Sequence, residues 1–174
     1  NALAVMIIAG KMALALICLF MLLYYRLPGL VACIALVLQV TGQLLALSIP
    51  QFTLTLPGIA GLILSVGMGV DANIIISERI KEELNNGKNL LRAIDTGFER
   101  AFSAVFDGNI TVIIVAVILI MLGSGSLLSF GYTLLCGVIM NFVAGVTASR
   151  LMIRSLSNFI ALRRPQYFGA RRAY

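Results

Sequence analysis

Apolar positions fill this chain in five long stretches, broken by short turns and one charged segment. A helix crosses the hydrocarbon core of a bilayer with roughly 17–25 apolar residues. The stretches 7–25, 30–49, 56–77, 104–123 and 127–151 all have that length. Arg26, Pro28 and Gly29 predict a tight turn between the first two, with proline and glycine as breakers. An uncharged link bounded by Pro50 and Pro57 joins the second and third, and Gly123–Ser126 joins the fourth and fifth. The pattern predicts an all-α polytopic membrane protein, a bundle of about five transmembrane helices.

The charged segment 78–103 is the only long connection. Glu78–Leu84 continues the third helix into solvent, and Asn85–Gly87 is a turn that stops it. Leu90, Leu91, Ile94, Phe98, Ala101 and Phe102 then recur at helical spacing among charged residues. That predicts an amphipathic helix lying at the cytoplasmic interface before the fourth span, packed on lipid; a partner-binding face is the alternative. The chain thus divides into a membrane domain, 1–156, and a basic tail, 157–174.

Composition reinforces the membrane assignment. Hydrophobic residues make up 60% of the chain and charged residues 11%, with a mean hydropathy of +1.03. A soluble domain of this length cannot hide so much apolar surface. The absence of histidine excludes imidazole proton shuttles and histidine metal sites within the chain. Cys18, Cys33 and Cys136 lie in apolar runs, match no metal or redox spacing, and read as packing residues. No cofactor is expected.

Charge sets the orientation. Twelve of the 13 Lys and Arg residues fall on one side of the predicted spans, leaving only Lys11 toward the other. Basic loops stay cytoplasmic, so the first span runs inward and the C-terminus is cytoplasmic. The net charge of +6 therefore reflects topology and attraction to anionic membrane lipid, and nucleic acid is not an expected partner.

The third span holds the chemistry. Gly61, Ser65, Gly69, Asn73 and Ser77 are each four apart and form one small or polar stripe. Gly67 and Asp71 make a second pair on another face. Small residues let helix backbones approach closely, which places this helix near the middle of the bundle. Packing accounts for the glycines and not for Asp71. A carboxylate inside a bilayer costs about 2.5 kcal/mol or more unless it is paired or protonated. Asp71 precedes Arg79 by eight residues, about 12 Å of helix, and no basic residue is placed to neutralise it. A proton or cation site follows, against the alternative of an aspartate satisfied by neighbouring hydroxyls and amides.

Asp107, Asn109 and Thr111 open the fourth span, with Asp107 seven residues after Arg100, about 10 Å of helix. Because this span runs the other way, both clusters reach a similar depth. Asp71, Asn73, Asp107, Asn109 and Thr111 are thus expected to line one polar track; the alternative makes Asp107 a helix cap. The chain offers no nucleophile–base pair, metal cluster or phosphate loop, so no enzyme is expected.

The run TLPGIAGLILSVGMGVDANIIISERIKEEL, followed by AIDTGFERAFSAVFDGNIT, resembles the SecD/SecF family of protein-export membrane proteins in the RND superfamily, on its SecD side. FMLLYYRLPGLVA resembles the start of the same membrane domain, and the similarity covers about 14–156. The resemblance implies a subunit that pairs with SecF, docks on the SecYEG channel carrying SecA-driven preprotein, and uses the proton or sodium motive force to assist export across the bacterial cytoplasmic membrane. The family's intramembrane aspartate falls on Asp71, and its second D-A-N motif falls on Asp107, Gly108 and Asn109. Gly108 replaces an alanine there, and Val112 stands where a threonine is common. The family's halves have six spans, with a periplasmic domain after the first. The five spans here correspond to the last five, consistent with a chain that begins at Asn1 without methionine. Two other readings share the intramembrane acid: an RND-type transporter of lipid or small molecules, and a scaffold without ion coupling.

Overall fold

The computed structural model describes residues 2–25, 27–49 and 53–157. Arg26, residues 50–52 and the tail beyond Ser157 lie outside the described residues. The helices are α1 (Ala2–Tyr25), α2 (Leu27–Ser48), α3 (Leu56–Asn85), α4 (Leu90–Leu122), α5 (Ser126–Met140) and α6 (Ala148–Ser157), with a π-helical segment, Asn141–Thr147, between the last two. Helical stretches long and apolar enough to cross a membrane number five among the described residues. α3, α4 and α5 pack on one another, α2 lies against α3, α5 and the π-helical segment, and α1 leans mainly on α2.

Local chemistry sets the helix ends. The Thr55 hydroxyl accepts from the Gly58 amide at 3.3 Å, and Pro57 sits in the first turn of α3, where its missing N–H costs nothing. Gly87, at φ +86°, takes the left-handed conformation that ends the α3 extension. The Asn89 side chain caps α4 by accepting from the Arg92 amide at 3.0 Å. Asp107 is therefore in mid-helix and caps nothing.

Three features differ from the sequence reading. The amphipathic segment before the fourth span is not a separate interfacial helix; it is the N-terminal part of a continuous α4. No glycine or proline breaks it near Ser103, and its apolar face has a protein partner. Leu90, Ile94, Phe98 and Ala101 bury with Ile76, Ile80 and Leu84 of α3 in one hydrophobic cluster. The fifth span is not a single α-helix, because a π-helical turn interrupts it at Asn141. Gly29 lies inside α2 instead of breaking the chain: a Cβ there would fall 2.0 Å from the Met21 carbonyl oxygen, so glycine lets α1 and α2 touch backbone to backbone.

The C-terminal end of α3 and the N-terminal end of α4 form a clamped hairpin. Gly97 packs directly on the Ile80 backbone. The buried Glu83 carboxylate receives Lys88 Nζ at 2.5 Å and an Arg100 Nη1 hydrogen bond at 2.7 Å. The Lys88 contact, seconded by Arg100, outweighs desolvation and holds the Glu83 carboxyl below the usual carboxylate range.

Candidate ion-coupling site

The stripe Gly61, Ser65, Gly69, Asn73 and Ser77 is buried along its whole length, as close helix packing requires. Phe130 and Thr133 of α5 press on Gly61, and the Gln39 side chain of α2 lies against Gly69. Ser65 sits between two α2 amides. Gln43 Nε2 donates to Ser65 Oγ at 2.8 Å and to the Thr133 carbonyl at 3.2 Å, while Gln39 Nε2 donates to the Ser65 carbonyl at 3.2 Å. Deeper along the stripe, Asn73 Nδ2 donates to the Gly69 carbonyl at 2.9 Å.

Asp71 is on the other side of α3, exposed on the surface of the chain. Nothing lies within 4 Å of a Cβ built at Gly67, one turn outward on that face. At the level of Gly67 and Asp71 this face is thus open, covered by no helix among the described residues. On α4, Asp107, Gly108 and Thr111 are exposed as well, and Gly108 too has open space around it. The Thr111 hydroxyl donates to the Asp107 backbone carbonyl at 3.2 Å. Among the described residues neither carboxylate has an ion-pair partner.

Asp71 and Asp107 stand level with each other along the α3–α4 pair, but the five polar residues do not group together. Ile80 faces Gly97 across the antiparallel pair, so counting outward along both helices brings Asp71 level with Phe106 and Asp107. Asn73 and Asn109, however, are buried inside the bundle. Asn109 Nδ2 donates to the Val105 carbonyl at 2.6 Å, and its Oδ1 faces Asn141 Nδ2 at 3.4 Å. The single polar track expected from Asp71, Asn73, Asp107, Asn109 and Thr111 is therefore two features. Residues two apart on a helix point about 200° from each other, so the D and N of each D-A-N or D-G-N triplet face opposite ways. The acids and Thr111 lie exposed on the surfaces of α3 and α4; the asparagines are buried inside the bundle.

The buried amides include residues the sequence reading passed over. Gln39, Gln43 and Asn141 are fully buried, and Gln39 Oε1 and Asn141 Oδ1 have no hydrogen-bond partner among the described residues. Two amides four apart in an apolar span were a visible signal, since polar groups inside a membrane helix normally face protein. Asn141 carried less signal, because its role depends on the π-helical turn it opens.

Residues 2–158 match the family described as protein export membrane protein SecD/SecF, C-terminal. The chain belongs to the SecD/SecF family. It is 45% identical over 163 residues to the protein translocase subunit SecD of Acidaminococcus fermentans, covering 94% of this chain and 39% of that protein. It is 44% identical over 169 residues to the protein translocase subunit SecDF of Bacillus subtilis, covering 97% of this chain and 23% of that protein. In three dimensions it superposes on the crystal structure of SecDF from Thermus thermophilus, a translocon-associated membrane protein, with a TM-score of 0.85 and 35% identity over 90% of this chain and 22% of that one. The chain thus spans well under half the length of these SecD/SecF relatives.

Proposed function

We propose that this chain is the ion-coupling membrane domain of a Sec protein-export subunit, with Asp71 as the group that takes up and releases the coupling proton, or sodium ion in its place. One observation carries the reading. Asp71 stands at the middle of the 30-residue α3, exposed, with no ion-pair partner among the described residues and no described helix over it at that level. An ionised carboxylate facing hydrocarbon costs about 2.5 kcal/mol or more, and Asp107 at the same depth adds a second charge. Such a face has to meet another protein surface or water. SecF is the partner that the family pairing suggests, and the fused SecDF of Bacillus subtilis supports a SecD–SecF pairing.

The mechanism needs no covalent chemistry, and the domain acts as a transducer and not as an enzyme. Protonating Asp71 removes a charge from the covered face, which changes how α3 packs against its neighbour. A bundle with two packing states converts that change into movement of attached elements. Outside the membrane that movement would assist a polypeptide leaving the SecYEG channel, after SecA has driven it in. The basic asymmetry supports placement in the bacterial cytoplasmic membrane with the C-terminus inside. Homology to translocase subunits favours export over lipid or small-molecule transport.

The test is Asp71→Asn in the full-length protein with its partner half. Assembly should survive, and stimulation of preprotein export by the ion gradient should disappear. Full stimulation by that variant would leave the scaffold reading standing.

A further inference from the structure

α1 is gripped most firmly at its Tyr25 end. Met21 and Tyr25, 0% and 4% exposed, are its buried residues, while Leu3, Val5, Met12 and Leu16 toward its outer end are all exposed. The inner end grips the bundle at several points. Gly29 of α2 abuts the Met21 carbonyl. Ile74 of α3 packs on the Met21–Tyr25–Ala32 cluster. The Tyr25 hydroxyl donates to Glu78 Oε1 at 2.7 Å, and Lys81 Nζ sits 4.8 Å from the centre of the Tyr24 ring. The neighbouring charges Arg79 and Glu82 pair with each other at 2.8 Å.

These contacts fall on a particular side of α3. Asp71, Ile74 and Glu78 stand at i, i+3 and i+7, which puts them on one helix face. The hold of α1 on α3 is therefore on the Asp71 face, about 10 Å inward of the carboxylate. Any rotation or tilt of α3 that re-seats Asp71 moves Glu78 with it, because both ride on one uninterrupted helix.

We propose that Tyr25 and Glu78 form a coupling latch that positions α1 on the Asp71 helix and carries displacement of α3 to the outer end of α1. The proposal rests on the ion-coupling reading of Asp71. Tyr25 keeps its O–H bond throughout, and Glu78 serves as an acceptor. Gripped at its base and mostly exposed along its outer length, α1 acts as a lever, and a small shift at Glu78 is enlarged at Val5.

The experiment uses the full-length protein with its partner half in liposomes, the native cysteines replaced for labelling. One spin-label pair, Val5→Cys with Met121→Cys, reports on α1 against α4. A second, Leu64→Cys with Met121→Cys, reports on α3. Distances are measured by double electron–electron resonance at proton-loading and proton-releasing pH. The latch predicts that both pairs respond to pH in the otherwise native protein. Tyr25→Phe, which preserves the buried ring, and Glu78→Ala, which removes the acceptor, should abolish the α1 response while the α3 response persists. A merely structural role would offset the α1 distance equally at both pH values. An α1 response retained in Tyr25→Phe overturns the latch, as does an α3 response without an α1 response in the native protein. If both responses survive Asp71→Asn while Tyr25→Phe still separates them, the ion-site assignment fails and the mechanical link stands. No response in either pair overturns both.

Discussion

Replacing Gly97 by alanine tests the hairpin that carries the site. The added Cβ would lie 2.8 Å from Ile80 Cγ1 and 2.9 Å from both Ile80 Cα and N. Ordinary contacts begin near 3.4 Å, so α3 and α4 must separate by about half an ångström or more at this level. Two of the three clashing atoms are helix backbone, and no rotamer change relieves them. Overpacking of this kind costs about 1–3 kcal/mol, partly offset by the better helix propensity of alanine, about 0.5–1 kcal/mol. Gly67→Ala and Gly108→Ala are the matched controls, because neither Cβ meets an atom within 4 Å. Reversible unfolding in detergent micelles should show a net loss for Gly97→Ala and none for the other two. Gly67→Ala and Gly108→Ala should instead weaken co-purification with the partner half, since they roughen the face it covers. Equal stability of all three chains would refute the close α3–α4 packing. Undiminished partner binding by both controls would refute the assignment of the open face.

Other consequences are as direct. Glu83→Gln removes the carboxylate shared by Lys88 and Arg100, and amide exchange across the hairpin should rise at neutral pH. Because the native carboxyl is held below its ordinary range, its stabilisation is complete above that range and fades only as pH falls through the lowered value; hydrogen exchange against pH should show this acid transition in the native protein and not in Glu83→Gln. Gln43→Leu deletes the bonds to Ser65 Oγ and the Thr133 carbonyl and should cost about 0.6–2 kcal/mol of bundle stability, read by the same micelle unfolding. Ser65 retains its bond to the Leu62 carbonyl at 2.7 Å, so a larger loss would mean the buried amides are more cooperative than their pairwise bonds.

The five membrane helices were readable in the chain because each is a long apolar run, and the bilayer requirement on length is strict. The stripe from Gly61 to Ser77 was equally readable, since 3.6-residue periodicity places every fourth side chain on one face. Asp71 stood out by the cost of its charge alone. Grouping it with Asn73 failed on geometry that the sequence also contains: spacing by two separates faces, while spacing by four joins them. The amphipathic segment was read correctly as helical and assigned the wrong partner, because Ile94 and Phe98 fit lipid and the α3 extension equally well by pattern. Only the tertiary pairing of Gly97 with Ile80 decides between them. The π-helical turn at Asn141 has no proline or other local marker, so the fifth span read as uniform. Tyr25–Glu78 and Glu83–Arg100 join residues 53 and 17 positions apart, and sequence alone does not place such pairs.

The protonation state of Asp71 in the assembled protein is the decisive quantity. Infrared difference spectra against pH, recorded on the full-length protein with its partner half and compared with Asp71→Asn, measure it directly. The account predicts a carboxyl C=O band that appears and vanishes across the working pH range in the native protein and is missing from the variant. An Asp71 that stays ionised throughout that range, with or without the partner, contradicts it.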